Sequence, residues 1–222
     1  MNRRNAVLLA LVAVVGAGML WNSTRPSQSL GPGLASALAQ DAGDVDISMV
    51  EEMSLGNPDA AVTVVEYASF TCPHCRNFHT SALKELKSNY IDTGKINFVY
   101  REVYFDRFGL WAGMVARCGG SDRYFGLVNL IYENQSDWIA GGDPALIVNN
   151  LRKLGKTAGL NDEQLDACLN DGEMAQAMVA VFQKNSTADD IKSTPSFIIN
   201  GDPYGNMGYD EFARILDEKL GE

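Results

Sequence analysis

Val62-Thr63-Val64-Val65-Glu66-Tyr67-Ala68-Ser69-Phe70-Thr71-Cys72-Pro73-His74-Cys75 is the stretch from which the rest of the chain can be read. The β-branched, apolar run Val62 to Ala68 follows the turn signal Gly56-Asn57-Pro58-Asp59 and predicts a buried strand. Pro73 suits the first position of a helix. Phe78, Ala82, Leu83, Leu86 and Tyr90 then recur at helical spacing until Asp92-Thr93-Gly94, predicting one continuous helix. Cys72 and Cys75 therefore open a helix that leaves a strand. Two thiols so placed can close a small ring, and the unsatisfied N–H groups and dipole of the helix start favour a thiolate on the outer sulfur. The spacing predicts a dithiol/disulfide exchange centre.

Ile96 to Val103 reads as the next strand, completing a βαβ unit with a right-handed crossover. From Phe108 to about Ser186 the period is helical throughout. Trp111, Met114, Val115 and Cys118 form one stripe, Leu127, Leu130 and Ile131 a second, and Ile147, Leu151 and Leu154 a third. Leu165, Cys168 and Leu169 mark a fourth helix, and Met174, Met178, Val181 and Phe182 a fifth. Strand character returns at Ser196 to Asn200, Gly201 to Gly205 reads as a polar turn, and Phe212, Ile215, Leu216 and Leu220 define a closing helix. The expected organisation is a leader over 1–39, a first α/β half over 40–107, a helical insertion over 108–187 and a second half over 188–222.

The leader carries Arg3 and Arg4 before the uncharged stretch Ala6 to Trp21, and the small-residue pattern Ala37-Leu38-Ala39 precedes Gln40. This is the pattern of an export signal. Two outcomes are open, cleavage near Ala39 or retention of the segment as an inner-membrane tether, and both place the rest in the periplasm. The net charge of −10, with no cluster of Lys and Arg, argues against a nucleic-acid or anionic-membrane surface. In an oxidising compartment the four cysteines can pair. Of three connectivities, Cys72 with Cys75 and Cys118 with Cys168 is expected. Two buried free thiols are the alternative for the second pair, since both lie on apolar helix faces. A disulfide closing that loop of roughly fifty residues stabilises the fold by up to about 4 kcal/mol in the chain-entropy treatment.

Haem attachment would need histidine where Arg76 stands. Zinc through Cys72, Cys75 and His79 lacks a second CxxC, so no metal and no cofactor are expected. A metal-binding or chaperone-like module without turnover is the alternative of another class. His74, between the thiols, can donate a hydrogen bond or positive charge towards Cys72, whereas His79 reads as a helix-surface residue. Glu66 interrupts an apolar strand, where a carboxylate is costly without a partner or water. It is a candidate proton relay for Cys75, or else an ion-pair partner of Arg101 or a lysine. Thr194-Pro195 suits a strand entrance, because Pro cannot donate to a ladder.

Four features taken together resemble the DsbA group of thioredoxin-like thiol-disulfide oxidoreductases. They are Cys72-Pro73-His74-Cys75, Glu66 six residues before Cys72, the helical insertion, and Thr194-Pro195 before the last main strand. Phe70-Thr71 and Arg76-Asn77-Phe78 also read like the family, and the likeness covers roughly residues 48 to 220. It implies an α/β thioredoxin fold with the insertion between a βαβ and a ββα half. Cys72 is then the exposed nucleophile, Cys75 the buried resolving thiol, and Glu66 the proton-transfer group. Thr194-Pro195 becomes a cis-Pro loop packed against Cys72, binding extended substrate and blocking metal capture. The implied activity is a monomeric oxidase that introduces disulfides into reduced, unfolded exported proteins and is reoxidised by a membrane quinone-linked partner of the DsbB kind. A reductase or isomerase on the same fold is the alternative, since reduction potential sets direction.

Overall fold

The structure, a computed structural model, describes residues 45–222. The expected leader, 1–39, lies outside the described residues. No helix among the described residues is long and apolar enough to cross a membrane.

A five-stranded sheet in the order β1-β3-β2-β4-β5 organises the fold, with β1 Met53–Gly56, β2 Val62–Ala68, β3 Ile96–Glu102, β4 Ser196–Ile199 and β5 Asp202–Tyr204. β2 and β3 are parallel, from Val62 opposite Ile96 to Ala68 opposite Glu102. The other three pairings are antiparallel. β2 lies at the centre, and Val62, Val64, Glu66, Tyr67 and Ala68 are buried along it. That is why its sequence is almost continuously apolar rather than alternating.

Two strands escape sequence reading. β1 is four residues long, and its Met-Ser-Leu-Gly has no apolar run; it exists because β3 has a free edge to pair with. Gly56 at its end has φ +89°, and a Cβ there would meet the Ile96 carbonyl oxygen at 2.3 Å, so only glycine fits. β5 lies inside the segment expected to be a polar turn, Gly201 to Gly205. The turn itself is shorter, the two residues Asn200 (φ +49°) and Gly201 (φ +90°), the positive-φ pair that a tight hairpin requires. Asn200 also fastens this hairpin to β2, accepting from Thr63 N at 2.8 Å and donating to Ala61 O at 3.1 Å. Pro203 is tolerated because β5 is an edge strand.

The helix expected to run unbroken from Pro73 to Tyr90 is divided. α1 spans Pro73–Thr80, α2 spans Ala82–Leu86, and a π-helical turn follows over Lys87–Ile91. The break falls at Ser81, with φ −127° and ψ −90°. Thr80 Oγ1 donates to Arg76 O at 2.9 Å and Ser81 Oγ to Asn77 O at 2.6 Å, and hydroxyls bonded back to carbonyls four residues earlier bend a helix.

Helices α3 Arg107–Arg117, α4 Ser121–Glu133, α5 Gln135–Trp138, α6 Pro144–Thr157, α7 Asp162–Leu169 and α8 Gly172–Ala188 lie between β3 and β4, and α9 Tyr209–Leu220 closes the chain. Asp106, Asp143 and Asp171 cap α3, α6 and α8, and Asn161 with Gln164 forms a capping box on α7. A disulfide between Cys118, at the end of α3, and Cys168, in α7, spans 50 residues. Phe197 of β4 packs on Phe78 of α1 and Phe212 of α9, with ring centroids 4.8 and 4.9 Å apart. Phe70, in the loop after β2, packs on Tyr132 of α4 at 5.3 Å. The loop that carries the cysteines is thus held by the sheet and by the inserted helices together.

Candidate active site

β2 ends at Ala68, and Ser69-Phe70-Thr71 turns the chain into α1. Cys72 is the N-cap, extended at φ −83° and ψ 120°, with Pro73 at the first helical position. Its N–H donates to Ser69 O at 3.0 Å, and its carbonyl accepts from Arg76 N at 3.1 Å. This leaves the partly exposed Cys72 sulfur in front of the first turn, where free N–H groups face it. Cys75, one turn inward, is fully buried. Both are thiols here.

The two sulfurs are driven in opposite directions. The Cys75 thiol donates to the Cys72 sulfur, and with the Thr194 side chain and the backbone N–H groups of Cys75 and His74 it holds Cys72 down to about 5, against the opposing effect of burial. Burial first, then the hydrogen bond to Cys72 and the charge of Glu66, push Cys75 far up. One sulfur is therefore an anion at neutral pH and the other a buried acid that holds its proton.

Thr194-Pro195 is a cis peptide, and as a thiol Cys72 Sγ donates to the Thr194 carbonyl oxygen at 3.4 Å. The loop before β4 therefore lies against the nucleophilic sulfur. His74 is exposed; its backbone N–H faces the Cys72 sulfur, while its imidazole makes no hydrogen bond among the described residues. The ring borders a groove lined by Asn77, Phe78, Ser81, Met207 and Tyr209. Among the described residues no three His, Cys, Asp or Glu side chains are grouped to hold a metal ion.

Glu66 is wholly buried, and its partner is His79. Nε2 of that ring lies 3.1 and 3.0 Å from the two carboxylate oxygens. The expectation of a surface His79 is thus corrected: it is 4 % exposed. α1 is covered by β4 and α9 on one side and by α4 on another, so a position at the polar end of a short helix lies inside. Arg101 is not the partner of Glu66. Glu66 stands opposite Tyr100 and Tyr67 opposite Arg101, and successive strand residues face opposite sides of a sheet. Arg101 instead binds Glu52, Asp189 and the Tyr67 hydroxyl.

Gln135 was not visible in the sequence as a site residue. It is buried in the four-residue α5, and its Nε2 donates to Phe70 O at 2.8 Å and Cys72 O at 3.0 Å. Nothing in Asn134-Gln135-Ser136 distinguishes it from a loop. Asp106 adds a second tie, accepting from Thr71 Oγ1 at 2.7 Å while capping α3. Cys118, the C-cap of α3, and Cys168, in α7, lie away from the elements that carry Cys72, Cys75 and Thr194.

A family model described as thioredoxin matches residues 48–218. The chain belongs to the thioredoxin family. Within that superfamily it is DsbA-like, with the helical insertion consistent with that group. Alpha-DsbA1 of Wolbachia pipientis is 25 % identical, with 77 % of this chain and 92 % of that one covered and a TM-score of 0.71. BdbD of Bacillus subtilis, 23 % identical over 77 % of this chain and 94 % of that one, shares the fold with a TM-score of 0.68. A Rickettsia conorii protein provisionally named a protein-disulfide oxidoreductase is 36 % identical over 77 % of this chain and 61 % of that protein. Disulfide bond formation protein D of Bacillus subtilis is 26 % identical over 75 % of this chain and 76 % of that one. The chain spans less than two thirds of the length of these rickettsial relatives.

Proposed function

We propose that this chain is a periplasmic protein-thiol oxidase working through Cys72 and Cys75. The observation that carries the proposal is the opposed behaviour of the two sulfurs, an accessible thiolate at a helix start and a buried thiol beside Glu66. In the oxidised enzyme a substrate thiolate attacks Cys72 Sγ, the Cys72–Cys75 bond breaks, and Cys75 leaves with the electron pair. Cys75 then takes a proton by way of Glu66. A second substrate thiolate attacks the substrate sulfur of the mixed disulfide and expels Cys72 as thiolate. The substrate loses two electrons, which the Cys72–Cys75 pair has gained. Because the low Cys72 value stabilises the reduced enzyme, the disulfide form is an oxidant. The Thr194-Pro195 loop, against Cys72, supplies backbone groups for an extended substrate.

Substrates in this proposal are reduced, unfolded exported proteins. The enzyme acts as a monomer, and a membrane quinone-linked partner of the DsbB kind removes the two electrons. Export rests on the sequence of residues 1–39, and fractionation of cells expressing the full chain tests it: recovery in the cytoplasm would refute it. The activity is tested by adding the oxidised protein to a reduced model substrate. Oxidation should be fast and lost in Cys72→Ser; equal rates with and without Cys72 would sink the proposal. Equilibration with glutathione supplies the direction, and a strongly reducing potential would make the protein a reductase.

A further inference from the structure

Glu66 of β2 meets His79 of α1, and the charge of Glu66 acts on Cys75. Cys75 and His79 are four residues apart on α1, hence on one face, and Glu66 reaches the same interior from β2. Both oxygens of Glu66 face His79 Nε2, at 3.1 and 3.0 Å. A carboxylate can only accept, so the hydrogen-bond partners place a hydrogen on Nε2, shared between the two oxygens. Nδ1 has no hydrogen-bond partner among the described residues, and an unpartnered buried N–H is rarer in folded proteins than an unpartnered acceptor. Both observations select the Nε2–H tautomer.

The ring cannot turn away. Tyr132 of α4 stacks on it at 4.2 Å, Tyr100 of β3 meets it edge-on at 5.4 Å, and Phe78 is at 5.8 Å. The hydroxyls of Tyr100 and Tyr132 are bonded to each other at 2.8 Å, and burial pushes both well up, so they hold their protons. Among the described residues the titratable groups facing the Glu66–His79 pair are Cys75, Tyr100 and Tyr132.

We propose that His79 is a positioning residue for proton transfer at Cys75: its Nε2–H, clamped by Tyr132 and Tyr100, orients the Glu66 carboxylate towards that thiol. This rests on the reading of Glu66 as the proton-transfer group of Cys75. A lysine or arginine in the same place would add a fixed positive charge and pin Glu66 as an anion. A neutral imidazole donates one hydrogen and leaves the remaining lone pairs free, so Glu66 can take the Cys75 proton when that thiol attacks and return it when the thiolate is released. In the forward step Cys75 S–H becomes a thiolate and Glu66 a carboxylic acid; the Nε2–H bond to Glu66 persists, and no other atom changes protonation.

The test isolates the step that requires Cys75 to lose its proton. The Cys72–glutathione mixed disulfide of the full chain is prepared, and glutathione release by Cys75 is followed by rapid quench from pH 4 to 9. In His79→Phe, which keeps an aromatic ring but removes the donor, release should slow by about tenfold or more with an altered pH profile. His79→Gln, which restores an N–H donor, should recover most of the rate. The Cys72 thiolate absorbance should titrate as in wild type in both. In a Glu66→Gln background, His79→Phe should add no further change. A wild-type profile in His79→Phe together with an altered one in Glu66→Gln would overturn the role of His79 alone. An unaltered profile in Glu66→Gln would overturn the Glu66 reading as well. Imidazole nitrogen shifts of the unmutated protein give a check independent of any variant's folding: the Nε2–H tautomer is expected, and an Nδ1–H tautomer would overturn the proposal.

Discussion

The two cysteine pairs of this chain differ in every respect that matters to sulfur chemistry. Cys72 and Cys75 are three residues apart at the start of one helix, and their surroundings are unequal: one sulfur is partly exposed and held to about 5, the other is buried and pushed far up. Cys118 and Cys168 are 50 residues apart on two helices and are joined. An exchange centre needs asymmetry, because one sulfur must attack or leave as an anion while its neighbour waits. A staple needs only geometry, and its value grows with the length of the loop it closes. The same residue type therefore serves two purposes through its setting alone.

The largest expected effect falls at the first pair. Cys72→Ser should reduce disulfide exchange to the uncatalysed rate, whereas Cys118→Ala with Cys168→Ala should change that rate by no more than about twofold, as for distant sites that act independently. An exchange assay with a small reduced peptide measures both, and a large loss in the double variant would mean that the staple takes part in electron transfer. Next in size is stability. The double variant should lose up to about 4 kcal/mol in denaturant titration, while Cys72→Ser should lose far less.

A smaller effect sharpens the asymmetry itself. In the dithiol form Cys72 titrates lower in the folded chain than in the unfolded one, so its stabilisation is full above about pH 9, declines below that, and is gone under about pH 5. Cys75 has the opposite sign: above about pH 9 it ionises more readily unfolded, and stability falls again. Solvent screening at the half-exposed Cys72 reduces the size but not the direction. Thermal melts of the reduced chain should rise from pH 5 to 9, Cys72→Ser should flatten that rise, and the staple double variant should keep it. The smallest expected change is at Gln135→Leu, which removes the donor to Phe70 O and Cys72 O. Cys72 O keeps Arg76 N, so the cost should be about 1–2 kcal/mol, read by denaturation, with a shift in the thiolate titration if α5 positions the nucleophile.

Much of the frame is written in local pattern. Val62 to Ala68 is apolar because it is buried in the middle of the sheet, and Pro73 marks the helix start. The stripes from Trp111 to Phe182 are helical because each helix has one covered face. Cys-Pro-His-Cys and Thr194-Pro195 stand out because their residue types are rare in that setting. Shorter features leave no such trace. Met53–Gly56 is too short for periodicity, and the Asn200-Gly201 turn falls across the boundary between the expected strand Ser196 to Asn200 and the expected polar turn Gly201 to Gly205, although its dipeptide is a known turn signal. The break at Ser81 depends on whether two hydroxyls bond back to their own helix, a choice open to any Thr-Ser pair.

By itself the sequence determined where the reactive sulfurs lie along the chain, that they open a helix after a buried strand, and that a helical insertion separates the halves. Those are matters of spacing and periodicity. Tertiary structure alone decided that Glu66 meets His79 and not Arg101, and that Gln135 grips the nucleophile's backbone from the insertion. Each of those depends on which faces pack together, and thus on long-range contacts that remove some groups from water and leave others in it. Hydrogen bonds at Cys72 and burial at Cys75, not residue type, separate the two thiols of Cys-Pro-His-Cys.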